Sequence, residues 1–279
     1  MIQVFVEKRN SKEIKMYVPK IMPGQNLRGI AYAASNDHGQ AVVNPKIQEL
    51  IKLLKTARGL ASGILARMAL TSPEDRPVII SALIEALKDE DDNVRHGAAM
   101  ALGIGSAAKD AVPALTVALR DKHPWVREAA ATALFDIGPE APEAKESVPV
   151  LTELVLKDEN EDVRRQATIA LGGIRLATEE VITTLTRALK DSYYGVRMCA
   201  ASSLGKLAPA AKAAVPVLIE TLKDVNSIAR GWAAETLGKI GPAAKAAVQP
   251  LTEALKDRSQ RNWLVLREAS GALAEITKC

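Results

Sequence analysis

Three histidines stand in the chain, His38, His96 and His123, and their neighbours limit the chemistry they can do. A metal pair or an acid–base pair on a helix needs its second member three or four residues away, so that both side chains leave the same face. His96 is followed by Gly97 and His123 by Pro124, and neither has another histidine at that spacing. Asp37-His38 sits in the run Ser35-Asn36-Asp37-His38-Gly39, which has the composition of a turn. No Gly-x-Ser-x-Gly elbow presents a nucleophile, and neither a GxGxxG nor a Gly-rich loop ending in Lys-Ser/Thr is present to cradle phosphate. Cys199 and Cys279 lie far apart and form no CxxC, so they predict neither a disulfide framework nor a zinc site. The sequence therefore predicts no catalytic residue, no metal and no cofactor.

Other charged residues recur. A Leu-Lys/Arg-Asp step ends in Asp89, Asp121, Asp158, Asp191, Asp224 and Asp257, at separations of 32, 37, 33, 33 and 33 residues. Val-Arg recurs at Val94-Arg95, Val126-Arg127, Val163-Arg164 and Val196-Arg197. A fixed period of this length marks a solenoid, whose repeats bury their apolar faces only by stacking. A binding residue has no reason to return in every repeat, so the structural reading is preferred. Each Asp is expected to accept from backbone N–H groups at the next helix start, and each Arg to bridge to the Asp of a neighbouring repeat.

The elements that position these residues are helix pairs. The first helix ends in the Leu-Lys/Arg-Asp step; the second opens with Val-Arg and ends near Leu-Gly, as in Val94–Leu102 and Val163–Leu171. Ile-Gly-Pro breaks follow at Ile137-Gly138-Pro139 and Ile240-Gly241-Pro242, and Pro113, Pro149 and Pro216 open the next apolar runs. Residues 77–279 read as about six such repeats, and residues 45–76 as an atypical helical cap. Residues 1–44 read as a short β-hairpin within 2–18 followed by an irregular linker. Aromatics are only 3% of the chain, so the core must be Ala, Leu, Val and Ile. The segment Gly138–Glu146 holds four residues more than its counterparts and, with its prolines and glutamates, reads as a protruding exposed link.

Asp-x4-Val-Arg-x2-Ala-x3-Leu-Gly, followed by Ala-Ala-Lys-x-Ala-Val-Pro, resembles the short bacterial HEAT-type repeat, a form also found in phycobilin lyase subunits. The resemblance covers roughly residues 77–276. It implies an all-α right-handed superhelix whose second helices line the concave wall. The iron-holding His-Glu pairs of the HEAT-type deoxyhypusine hydroxylases are missing.

Counting each Val of the second helix as zero, offsets 4, 7, 8 and 11 share one side and form the core, while offsets 2, 6 and 9 face away. The outward stripe supplies a partner-binding set: His96, Met100, Glu128, Thr132, Phe135, Arg165, Ile169 and Met198. Phe135 holds offset 9, where Gly103, Gly172, Gly205 and Gly238 stand in the other repeats, and is the expected centre of the contact. The alternative is that its ring folds sideways over its own helix end. The mixture of Met, Ile and Phe with charge suits a protein or peptide partner. Residues 1–70 carry eleven Lys/Arg against four Asp/Glu, leaving the remainder of the +4 chain net acidic, a distribution that argues against nucleic acid along the array. No apolar run spans a bilayer, and the first residues lack the ordered regions of a secretory signal; a cytoplasmic location is the default. The leading expectation is a non-catalytic interaction scaffold. The alternative implied by the resemblance is a bilin lyase or its partner subunit.

Overall fold

The computed structural model describes residues 45–256 and 263–278, and these form thirteen α-helices with short 3-10 segments and no strand. In order they are α1 (Pro45–Thr71), α2 (Arg76–Ala86), α3 (Asp92–Ala101), α4 (Val112–Ala118), α5 (Pro124–Ile137), α6 (Val148–Lys157) and α7 (Glu161–Ile174). There follow α8 (Glu179–Ala188), α9 (Tyr194–Leu207), α10 (Val215–Thr221), α11 (Ser227–Ile240), α12 (Val248–Lys256) and α13 (Trp263–Ile276). The hairpin expected within residues 2–18 lies outside the described residues. α1 is broken at Ala57, where φ is −132° and ψ 45°, and it packs on both α2 and α3.

Two layers result. The second helices α3, α5, α7, α9, α11 and α13 each pack on the next. Their core positions are those the helical arithmetic predicts: Ala98, Ala101 and Leu102 in α3, and Ala130, Ala133, Leu134 and Ile137 in α5, are closed to solvent. Alanine there lets backbones approach, and the glycine at offset 9 carries this to its limit. A Cβ added at Gly172 would lie 2.9 Å from Ser203 Cα, and one at Gly238 would lie 2.9 Å from Ala272 Cα. The offset-9 glycines are therefore junction residues, not part of an open wall. The angle count misassigned them because the next helix leans over the carboxyl-terminal turn of each second helix. Buried hydroxyls tighten the same junctions: Ser203 donates to Thr168 O at 3.0 Å and Thr236 to Ala201 O at 2.8 Å.

The first helices are held apart. Between α3 and α4 runs the 3-10 segment Gly105–Ala111, and its equivalents Ala210–Ala214 and Gly241–Ala247 precede α10 and α12. These segments wedge against α2, α8 and α10 respectively. Gly105 and Gly241 start the first and third with φ of 71° and 70°, and Gly138 starts the α5–α6 link with φ of 63°, a left-handed region that glycine enters without steric cost. A 3-10 helix repeats every three residues, and so does its burial: Ala108 and Ala111, Ala211 and Ala214, Ala244 and Ala247. Before α8 no such segment intervenes, and α6 and α8 touch directly.

The long link between α5 and α6 does not protrude. Residues 138–147 form 3-10 turns at Gly138–Glu140 and Pro142–Ser147, and Ala141, Ala144 and Ser147 are 2%, 0% and 0% exposed. The segment packs on α4. Gly241–Ala247 has seven residues and this segment ten, so the insertion here is one 3-10 turn that keeps the buried alanines in phase; the remaining extra residue lies in α6, ten residues long against nine in α12. Polar composition suggested an exposed loop, but the three-residue alanine spacing decides its packing. Deleting the single turn Pro142–Ala144 should therefore preserve the phase and lower the thermal midpoint only slightly. Removing four residues, Pro142–Lys145, rotates the buried positions outward and should cost several times more. Circular-dichroism melts of the two deletions check this, and equal losses would show that phase is irrelevant.

Candidate interaction surface

The recurring charges are absorbed by the junctions. Arg95 Nε and Nη2 meet Asp121 at 2.7 and 3.0 Å, Arg127 meets Asp158 at 2.7 and 2.8 Å, Arg164 meets Asp191 at 2.8 and 3.0 Å, and Arg197 meets Asp224 at 2.6 and 2.9 Å. Nη1 of each arginine donates to two carbonyls of its own preceding turn, as Arg95 does to Asp89 O and Glu90 O. Each carboxylate also accepts a backbone N–H two residues on, from His123, Asn160, Tyr193 or Asn226. Both expected roles are thus present. Burial opposes ionisation of Asp121 and Asp224, but the arginine bonds and the backbone N–H groups outweigh it and hold both carboxyls below the ordinary aspartate value. Arg230 repeats the carbonyl contacts, to Asp224 O and Val225 O. At α13, Leu266 occupies the place of the arginine, since Val265, Ala269, Ala272 and Ile276 are its buried positions.

Apart from the ladder, the outward residues fall into distinct groups. Met100 is 48% exposed and Thr132 is exposed, with its hydroxyl returned to Glu128 O at 3.0 Å; Ile169 and Met198 are half-buried. Glu128 and Arg165 face one another across the α5–α7 junction at 3.3 Å, and Arg165 also reaches Asp162 at 3.3 Å. Burial, then the charge of Asp162, raise the Glu128 carboxyl, and Arg165 opposes them. Phe135 stands apart from these. Its ring occupies the space a Cβ would need at Gly173, 2.3 Å from Cδ2, and Lys206 Nζ lies 5.0 Å above it. The ring is half-buried in the next junction, neither lying free on the wall nor folded over its own helix end. The double glycine Gly172-Gly173 is the sequence mark of the socket it enters.

The stripe count also passed over residues ahead of the Val. Trp125 is 51% exposed, Tyr194 47% and Trp263 68%, all in the first turn of a second helix. The guanidinium of Arg58 lies 5.5 Å from the Trp125 ring and that of Arg267 lies 4.7 Å from Trp263, while His96 and His123 approach Trp125 at 6.5 and 4.9 Å. Trp232 and Trp263, with Ile228, Glu235 and Arg267, line a shallow cleft of about 410 Å³ between α11 and α13. All six aromatic residues among the described ones belong to the second-helix layer: Trp125, Phe135, Tyr193, Tyr194, Trp232 and Trp263.

A family model described as HEAT repeats matches residues 80–172, 148–237 and 209–274, more than half of the chain. The chain belongs to the HEAT repeat family. An engineered protein is 26% identical to it, with 84% of this chain and 69% of that chain covered and a TM-score of 0.61. Kap121p matches at 17% identity over 82% of this chain and 28% of that chain, with a TM-score of 0.66. An archaeal HEAT-like repeats protein from Thermococcus onnurineus NA1 matches at 15% identity over 82% and 96%, with a TM-score of 0.61. The last two likenesses show the fold alone. No curated protein sequence matches the chain.

Within the HEAT array the α3–α5 junction carries a titratable group. Burial, followed by the charges of Arg58 and His123, pushes His96 down from 6.5 to about 4, against the opposing pull of Asp92. Its folded value lies below the unfolded one, so the unfolded chain takes up the proton first. Stability is full above pH 6.5 and is lost as pH falls toward about 4. Denaturation midpoints should therefore decline between about pH 7 and about pH 5, before Asp121 and Asp224, both held below the ordinary aspartate value, take up protons. The decline should be clearly shallower in His96→Gln, and identical slopes in the two proteins would contradict it.

Proposed function

We propose that the chain is a non-catalytic protein-interaction scaffold that receives its partner on the second-helix layer. The observation that carries this is the confinement of every described aromatic side chain to that layer, with Trp125, Tyr194 and Trp263 about half exposed or more. Exposed aromatic and arginine side chains are the groups that dominate protein interfaces when they are covered. The spacing of the layers supports the same side. Second helices meet through alanine and glycine, whereas 3-10 segments spread most of the first helices, a difference in spacing that favours the second-helix layer as the inner wall. On this reading the binding residues are Met100, Thr132, Ile169, Met198, His96, and the Glu128–Arg165 pair, extended by Trp125 and Tyr194, with Phe135 at the wall's edge. On the same reading residues 45–76 act as the cap of the array that begins at residue 77.

Affinity capture of the native partner by variants of each layer tests this. Trp125→Ala and Met100→Ala should each weaken capture about tenfold, a typical cost for an interface anchor, with an unchanged helical signal. Val117→Ala, 73% exposed on the first-helix layer, should leave capture intact. The reverse pattern would place the interface on the other layer. For the lyase alternative, mixing with phycocyanobilin and its apo-phycobiliprotein is decisive: covalent colour transfer would replace the scaffold reading.

A further inference from the structure

At the carboxyl-terminal ends of α7, α9 and α11, beside the Phe135 socket, three cations gather. Arg175 follows α7 in the left-handed conformation, φ 56°, two residues beyond the Gly173 that receives the phenyl ring. Lys206 Nζ covers that ring at 5.0 Å. The stem of Lys239 runs against the next junction, its Cδ 3.7 Å from where a Cβ would stand at Gly205. All three side chains are exposed. Elsewhere, cations at the junctions find carboxylates across them: Arg120 meets Glu153 at 3.0 Å, Lys190 meets Glu220 at 2.8 Å, and Arg165 meets Glu128. Here Lys239 has Glu235 of its own helix at 2.7 Å, and no carboxylate bridges the three ends among the described residues. Burial, and after it the charge of Arg175, lower the Lys206 ammonium, with Lys239 acting in the same direction and Cys199 against it.

Helix carbonyl ends favour a cation at each terminus singly, but with only partial charge. They do not relieve the repulsion among three. We infer that this patch docks an acidic, extended segment of the partner protein, carboxylates against Arg175 and Lys206 and an apolar side chain over the Phe135 edge. The inference rests on the scaffold reading and names the chemistry of the partner. Packed helices lie about 8–10 Å apart and an extended chain advances about 3.3 Å per residue, so carboxylates at every third position match successive second helices.

The test uses the full chain and a fluorescein-labelled peptide with glutamate at every third position, its glutamine counterpart, and a single-stranded oligonucleotide of similar length. Fluorescence anisotropy at low ionic strength should show saturable binding of the glutamate peptide alone. The affinity should fall tenfold or more in Arg175→Gln/Lys206→Gln, be largely retained in Lys206→Arg, and decline with added salt. Equal binding of the glutamine peptide, unchanged affinity in the double variant, tighter binding of the oligonucleotide, or no saturable binding would each overturn the inference. Should it fall while Trp125→Ala still weakens capture of the native partner, the scaffold reading stands and only the acidic chemistry is lost.

Discussion

Four successive repeats each contain an arginine that its own repeat satisfies only in part. Nη1 of Arg95, Arg127, Arg164 and Arg197 closes the turn behind it, but Nε and Nη2 point out of the repeat and find their acceptors on the following one. The pair is largely shielded from water, Arg164 and Asp191 being 14% and 12% exposed. A charge so placed is costly unless it is paired, and the pairing geometry is bidentate and directional. The arginine therefore dictates both the form of its own turn and the distance and register of its neighbour. The alanine and glycine contacts between second helices depend on that register, because a small shift of α9 would drive Ser203 into Gly172.

From this constraint follows the division of the molecule into a tight layer and a spread one. The second helices carry the ladder at their amino ends and glycine contacts at their carboxyl ends, so both halves are committed to neighbours. What remains outward is a narrow band: offsets 2 and 6 and the first-turn aromatics. A binding surface in this fold is built from what the junctions leave over, and its character changes from repeat to repeat. The Trp125–Arg58 stack, the Glu128–Arg165 pair, the Tyr193–Tyr194 contact and the Trp232–Trp263 cleft are four such remnants.

Much of this was legible in the residues. The Asp period and the Val-Arg step identify the ladder, because recurrence from junction to junction is itself the evidence of a structural role. The core positions follow from helical angles because alanine, leucine and isoleucine hold them in α3 and α5. The failures share a cause. An angle count treats each helix as isolated, so it assigned Gly172 and Gly238 to an open wall when the approach of the next backbone encloses them. It started at the Val and so missed Trp125, Tyr194 and Trp263 just ahead of it. Composition made Gly138–Glu146 a loop, where the spacing of Ala141 and Ala144 encodes a packed 3-10 turn. The socket for Phe135 was written in Gly173, but in a different repeat from the residue it serves.

The central claim is that the arginine–aspartate pair fixes repeat register, and a double-mutant cycle on Arg164 and Asp191 measures it most directly. Arg164→Ala and Asp191→Ala should each cost about 3–5 kcal/mol in denaturant unfolding, since each strands a shielded charge. The double variant should cost far less than their sum, giving a coupling energy well above about 1 kcal/mol. Additive losses, each within about 0.5 kcal/mol of a surface substitution, would show that alanine and glycine packing alone sets the register and that the ladder merely decorates it.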